Sequence, residues 1–292
     1  MTEQHAPPMP DDNELLAVPG DPDLAGGHRH FARPLFGVDV SVPDEVDRQE
    51  TAALCLALGD DALVTALRLG EWLTGDLGPA DTAALAGIGL DLVGQARMLL
   101  ARSGQLDGTG RTEEELARGR AAEGFRNALL CEAPTEDLAF GAGRLLLLSL
   151  WRAVLFETLV DAADPVLAAV AAMGLRELAG HADLAARWVV RLGRGARTSH
   201  RRMGEAMSAV VSHLDELCEA SPPCGLDPAA VRSELERRLA PVLSAAALTG
   251  PDESPAHRRA HPGGGRAGQH QYLEQMLTEA RQEVPLHAAA SR

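Results

Sequence analysis

Apolar residues recur at spacings of three and four from residue 44 to residue 283, a pattern that predicts a series of amphipathic helices. Helix-capping residues divide this pattern, and two Asp-Pro pairs mark helix starts. The predicted helices are Asp44 to Trp72, Asp81 to Gly104, one that opens at the capping box Thr112 to Glu115, Thr135 or Asp137 to Ala163, Asp164 to Gly193, Thr198 to Glu219, Asp227 to Ala246 and Gln269 to Glu283.

The order of these segments predicts the fold class and the extent of the domain. No strand pattern competes with the helices, and short turns between long helices favour antiparallel neighbours. The sequence therefore predicts an all-α antiparallel helical bundle over residues 44–285, with extra C-terminal helices. Residues 1–43 hold seven of the eighteen prolines and are predicted to form a mobile tail, and residues 286–292 a loose C-terminus.

Charge and composition narrow the function classes. The net charge is −15, which argues against a nucleic-acid surface. All 27 basic residues are arginine, so chemistry that needs a lysine is excluded. The apolar run Leu145 to Val160 is too short to cross a bilayer and contains charged residues, so we expect a cytoplasmic protein without membrane contact. The four widely spaced cysteines are expected to be buried free thiols.

Two predicted helices carry polar pairs within their apolar rows. Asp91 and Gln95 lie one turn apart on the second helix, and Glu177 and His181 lie one turn apart on the helix that opens at Pro165. A buried carboxylate is costly unless it is paired, hydrogen-bonded or bound to metal. Two helices with such pairs are typical of carboxylate-bridged di-metal bundles, so a metal site is one hypothesis for this chain.

Other residues favour a metal-free polar network at the same place. Arg152 lies in the core row of the helix between these two, and a guanidinium would repel a metal dication and pair with a carboxylate instead. The first helix adds Asp60 and Asp61, with Arg68 on the face of Asp61. We therefore expect a degenerate metal site made of Asp60, Asp61, Asp91, Gln95, Arg152, Glu177 and His181. In it Asp91 pairs with a buried guanidinium or amide, and no metal is bound.

Several segments resemble the PaaC-type subunit of the phenylacetyl-CoA ring 1,2-epoxidase, a multicomponent monooxygenase. The resemblance runs in order through roughly residues 50 to 285, and GLDLVGQAR is its most specific block. The segments are LALGDDALVTALRLGEW (Leu56 to Trp72), LAGIGLDLVGQARMLL (Leu85 to Leu100), FRNALLCEAP (Phe125 to Pro134), the run from Asp164 to Gly195, SHRRM (Ser199 to Met203) and GGGRAGQHQYLEQMLTEARQ (Gly263 to Gln282).

The resemblance implies a ferritin-like bundle that scaffolds a sister subunit. That catalytic ferritin-like subunit would hold the di-iron centre and bind most of the acyl-CoA, beside a small bridging subunit and a reductase subunit. No cofactor is expected in this chain. The chain departs from the family pattern, which usually has Asp-Ala-Trp-His at Ser149 to Arg152 and Tyr-His at Gly180-His181. These departures remove potential ligands and mark a divergent member, so the acyl group of the substrate stays open.

Three functional hypotheses remain at this point. The first is a non-catalytic structural subunit of the oxygenase, and the second is a self-sufficient di-metal oxidase or oxygenase. The third is a binding module that presents acyl-CoA or the reductase to a partner. The glycine-rich stretch Pro262 to Gly268, with Arg266, is interpreted as a flexible connection rather than a phosphate loop. The histidines around it match no zinc spacing.

Overall fold

The computed structural model describes Leu35 and residues 37–74, 77–135, 137–220, 225–248, 266, 270 and 272–283. The chain forms two units, Met1–Phe36 and Gly37–Arg292. The first unit lies almost wholly outside the described residues, as do Cys224, His257, His261 and the predicted loose C-terminus. Residues 37–43, assigned to the tail from sequence, contact the helical unit: the carbonyl oxygens of Val40 and Ser41 accept hydrogen bonds from Arg102.

The described part of the second unit is helical throughout, with no strand in those ranges, and the all-α prediction is confirmed. Two short 3-10 turns, Glu71–Thr74 and Ala122–Gly124, lie between helices. The helices are α1 Arg48–Gly70, α2 Pro79–Leu106, α3 Glu113–Arg118, α4 Leu129–Glu132, α5 Leu138–Leu159, α6 Pro165–Gly193, α7 Arg197–Val211, α8 Leu214–Glu219, α9 Pro228–Ala245 and α10 Leu273–Glu283.

Side-chain caps explain most of the helix starts. Asp137, Asp164 and Asp227 each accept a hydrogen bond from a backbone N–H in the first turn, and Thr112 forms the predicted capping box with Glu115. Two predicted caps are wrong. The cap of α1 is Asp47 rather than Asp44, and α2 begins two residues before Asp81, which instead accepts a hydrogen bond from Trp188 of α6.

One predicted helix, Thr198 to Glu219, is two helices in the structure. The α7 helix ends at Val211, and α8 begins at Leu214. Ser212 turns its hydroxyl back to the carbonyl oxygen of Ala209 at 2.6 Å, and the N–H of His213 bonds the carbonyl of Val210. These local bonds compete with the regular helical ladder, which explains why the helix ends there.

The four long helices α1, α2, α5 and α6 form the bundle. The α1 helix packs on α2, and α5 packs on α6. Contacts between α2 and α6 run in opposite directions along the two helices, since Trp188 meets Asp81, His181 meets Asp91 and Asp164 meets Arg102. These two helices are therefore antiparallel, as the sequence predicts for this pair.

Two helices are long and apolar enough to cross a membrane by length and composition, α2 and α5. In α5, 83% of the most apolar 18-residue window is buried inside the bundle, as expected for the core helix of a water-soluble protein. In α2 only 44% of the corresponding window is buried. Cys55, Cys131 and Cys218 are buried free thiols, as predicted.

Candidate functional site

Arg152 lies at the centre of the bundle and joins three of its helices. This α5 side chain is buried; its Nε donates to Oε1 of Gln95 on α2 at 2.9 Å, and its Nη1 donates to the carbonyl oxygen of Leu58 on α1 at 2.9 Å. The guanidinium carbon lies 4.6 Å from the centroid of the Phe156 ring. A fixed positive charge therefore occupies the middle of the bundle.

Gln95 extends this network to α6. Its Nε2 donates to Oε2 of Glu177 at 2.7 Å, while its Oε1 accepts from Arg152, so both ends of the amide are used. Burial raises the pKa of Glu177, and the hydrogen bond from Gln95 opposes that shift. Gln95, Arg152 and Glu177 thus form one hydrogen-bonded chain across α5, α2 and α6.

Asp91 and His181 form a second contact between α2 and α6, nearer the surface. The Nε2 of His181 lies 3.0 Å from Oδ2 of Asp91; the histidine is buried, but 41% of the Asp91 side chain is exposed. Burial lowers the pKa of His181 more than Asp91 raises it, so the imidazole is neutral near pH 7 and donates through Nε2. The expectation of a buried Asp91 with a guanidinium or amide partner is therefore wrong.

Asp60 and Asp61 of α1 are engaged by other arginines. Asp60 accepts from both terminal nitrogens of Arg120 and from the backbone N–H of Arg126, and burial raises its pKa against these bonds. Asp61 accepts from Arg266 at 2.7 and 3.2 Å and from the backbone N–H of Ala128.

Arg68, which the sequence places on the face of Asp61, pairs elsewhere. Its Nη1 lies 2.6 Å from Oε1 of Glu71, and its Nε donates to the carbonyl oxygen of Glu132. Arg68 therefore joins the end of α1 to α4.

A small cavity of about 20 Å³ lies among these groups. Its lining includes Asp61, Ser149, Arg152 and His181, so the α1 carboxylate reaches the same space as the other candidate residues without a direct bond to them. The volume suits about one water molecule. The cavity is too small for an acyl-CoA or an aromatic ring.

The residues of this site do not fit a di-iron centre. Such a centre needs carboxylates and histidines from four helices around the metals. Here Arg152 contacts α1 and α2 at the centre, and a guanidinium cannot ligate a cation. Among the ranges the structure describes, three or more His, Cys, Asp or Glu side chains nowhere come together in a way that could hold a metal.

The sequence reasoning missed the arginines that neutralise α1 and one buried histidine pair. Arg120 gave no signal, because its loop has no periodicity; Arg266 was assigned to a flexible connection. His270 lies with Nδ1 2.9 Å from Oε2 of Glu132 and Nε2 3.2 Å from the carbonyl oxygen of Phe125. Both its nitrogens face acceptors, as an imidazolium requires.

The His270–Glu132 pair predicts a pH dependence of stability. Burial alone would lower the pKa of His270, but the hydrogen bond and charge of Glu132 outweigh it and raise the pKa above 6.5. The folded state then binds the proton more tightly, so the stabilisation is full below about pH 6.5 and is lost as pH rises through the folded value.

The measurement is the unfolding free energy of the wild-type protein and of His270→Gln between about pH 6 and about pH 8.5. We expect the wild-type advantage to be largest at the acid end and to shrink as pH rises. His181 titrates with the opposite sign, but it is present in both proteins and cancels in the difference. A constant difference across this range would contradict a charged His270.

Comparison with known proteins adds an independent finding. Residues 38–289 match the family model described as phenylacetic acid catabolic protein. The PaaC-type subunit of the 1,2-phenylacetyl-CoA epoxidase of Escherichia coli (strain K12) is 34% identical over 239 residues, which cover 79% of this chain and 94% of that protein. The matched region includes every described helix and every candidate residue.

Proposed function

The chain belongs to the family of phenylacetic acid catabolic proteins, as a PaaC-type member, and from that premise we propose that it is a non-catalytic structural subunit of a di-iron oxygenase. The assembled enzyme would epoxidise the ring of phenylacetyl-CoA in phenylacetate breakdown, with this chain scaffolding the catalytic subunit. The E. coli relative, a subunit of a phenylacetyl-CoA epoxidase, supports the substrate and the multisubunit assembly. The centre of the bundle supports the structural role.

The observation that carries the structural role is Arg152. Its guanidinium bonds to α1 and α2 at the place where a catalytic bundle would hold metals, and Gln95 passes this contact on to Glu177. Asp60 and Asp61 are neutralised by Arg120 and Arg266. These charges stabilise the fold, and the carboxylate that lines the cavity, Asp61, has both oxygens engaged by hydrogen bonds.

The proposed partners follow from the same role. A catalytic ferritin-like subunit would supply the di-iron centre and most of the acyl-CoA site, with a small bridging subunit and a reductase completing the enzyme. The commitment of Arg266 to Asp61 disfavours a CoA phosphate at that arginine. A cytoplasmic location is part of the proposal, in keeping with the buried α5 helix.

The test is turnover of the reconstituted enzyme that contains Glu177→Gln in this chain. This chain is kept in excess, so that every catalytic subunit is occupied even if docking weakens. We expect kcat within about twofold of the wild-type value, because Glu177 touches no reacting atom. The matched control is Glu157→Gln, an exposed α5 carboxylate that pairs with Arg238.

The alternatives predict different outcomes. If the chain were a self-sufficient di-metal enzyme, Glu177 would be a ligand, and kcat would fall by more than about tenfold with the complex intact. If it were an acyl-CoA-binding module, calorimetry on the isolated chain would detect phenylacetyl-CoA. We expect no such binding without the catalytic subunit.

A further inference from the structure

The outer surface of α2 and α6 is apolar although nothing in the described chain covers it. Leu90 and Val93 of α2 are 74% and 38% exposed, the former being the most exposed large apolar side chain among the described residues. Ala172, Ala179 and Gly180 of α6 are also exposed. We call this surface, with Gly87 of α2, the α2–α6 face. Contiguous exposed apolar patches mark interaction sites more often than isolated residues do.

Glycines inside these two helices have no explanation within the chain. Glycine destabilises a helix interior relative to alanine, so a packing reason is expected for each one. Gly59, Gly141 and Gly174 have such a reason, since a Cβ there would collide with Leu100, Trp72 and Phe156 respectively.

The remaining interior glycines of α2 and α6 differ. A Cβ at Gly87, Gly89, Gly94 or Gly180 would meet no described atom within 4 Å. Helical glycines that leave the surface open permit the close approach of another backbone. In this chain they lie around the seam where Asp91 meets His181 and Gln95 meets Glu177. The approaching backbone must therefore come from outside the described residues.

The seam also carries a charge that the chain leaves half exposed. Asp91 accepts a hydrogen bond from an imidazole that is neutral because of its burial, so its negative charge has no cationic partner among the described residues there. Burial of this carboxylate under an apolar partner would cost free energy unless the partner supplied a cation.

We propose that the α2–α6 face is the docking surface for the catalytic subunit, which applies a helix with apolar side chains over Gly87, Gly94 and Gly180 and brings an arginine or lysine to Asp91. This inference rests on the proposed function and adds the surface and the chemistry of the partner. A second copy of this chain fits less well. Each copy carries a net charge of −15, so the copies repel one another.

The experiment measures the affinity of the purified chain for the co-expressed, separately purified catalytic subunit, together with the melting temperature of the free chain. The test variant is Gly87→Ala/Gly94→Ala/Gly180→Ala. We expect its free form to melt about 5 °C higher, because alanine favours the helix, while its affinity falls at least about tenfold through crowding of the partner. A purely structural role would not move these two readouts in opposite directions.

Matched variants complete the design. Gly204→Ala is the control, since a Cβ there meets only Leu248 at 3.8 Å within α7; it is expected to keep its affinity within about twofold. Leu90→Glu and Asp91→Asn are expected to weaken binding by about tenfold or more, whereas Glu at the exposed Ala240 of α9 is not.

The outcomes separate the two proposals. Retained affinity in the triple glycine variant and in Leu90→Glu would overturn the docking surface while the proposed function stands. Failure of the wild-type chain to bind the catalytic subunit would overturn both. If the wild-type chain dimerises by itself and Leu90→Glu makes it monomeric, the occupant is a second copy and the proposal is wrong.

Discussion

Asp164→Ala is expected to lower the free energy of unfolding by about 4 kcal/mol, the largest effect of a single substitution described here. Asp164 and Arg102 are both fully buried, with Nη2 2.5 Å from Oδ2 and Nε 3.0 Å from the same oxygen. Asp164 also caps α6 by accepting from the N–H of Leu167. Alanine would leave the guanidinium buried without its counterion and would remove the cap.

Chemical denaturation with matched variants measures this effect. Asp164→Asn keeps the cap and the shape and loses only the charge, so we expect a smaller loss. The double variant Arg102→Met/Asp164→Ala removes the stranded charge and is expected to recover part of the stability. If Asp164→Ala unfolds at the wild-type denaturant concentration, the pair does not stabilise the fold.

Asp61→Ala is expected to have the second-largest effect, a loss of about 3 kcal/mol. The carboxylate is buried and accepts from Arg266 and from the backbone N–H of Ala128. Removal of it leaves a buried arginine whose guanidinium lies 5.7 Å from the Trp151 ring without its anion. It also removes the bond that ties the C-terminal part of the chain to α1.

A double-mutant cycle with Arg266→Ala isolates this interaction. Because the two side chains contact each other directly, the loss in the double variant is expected to be smaller than the sum of the single losses by about 1–3 kcal/mol. Arg118→Ala, whose guanidinium pairs with Glu114 at the surface, serves as the control and is expected to change stability little. Additive losses would mean that Arg266 and Asp61 stabilise the protein independently.

The fold was largely predictable because its signals are local. Asp164-Pro165 and Asp227-Pro228 place an acceptor and a residue without an N–H at the first turn, and α6 and α9 begin there. Where several acidic residues lie close together, local rules do not choose among them. Asp44 and Asp47 both suit a helix start, and only the packing of the preceding segment selects Asp47.

The candidate site was predictable only in part. Helical periodicity placed Gln95, Arg152, Glu177 and His181 toward one another, and the structure brings them together. Periodicity sets the face of a helix but not how far the face is covered, so the exposure of Asp91 could not be deduced. The partners of Asp60 and Asp61, Arg120 and Arg266, lie 60 and 205 residues away in non-periodic segments.

The central claim is that arginines and amides of the chain itself, rather than metal ions, hold the middle of the bundle. Its most direct test is the iron content of the purified wild-type chain after anaerobic incubation with ferrous iron and removal of the excess by desalting, read by elemental mass spectrometry. We expect no stoichiometric iron, in the wild-type chain and in Glu177→Ala alike. About two irons per wild-type chain, lost in Glu177→Ala, would contradict this claim and make the chain a metal-binding oxygenase in its own right.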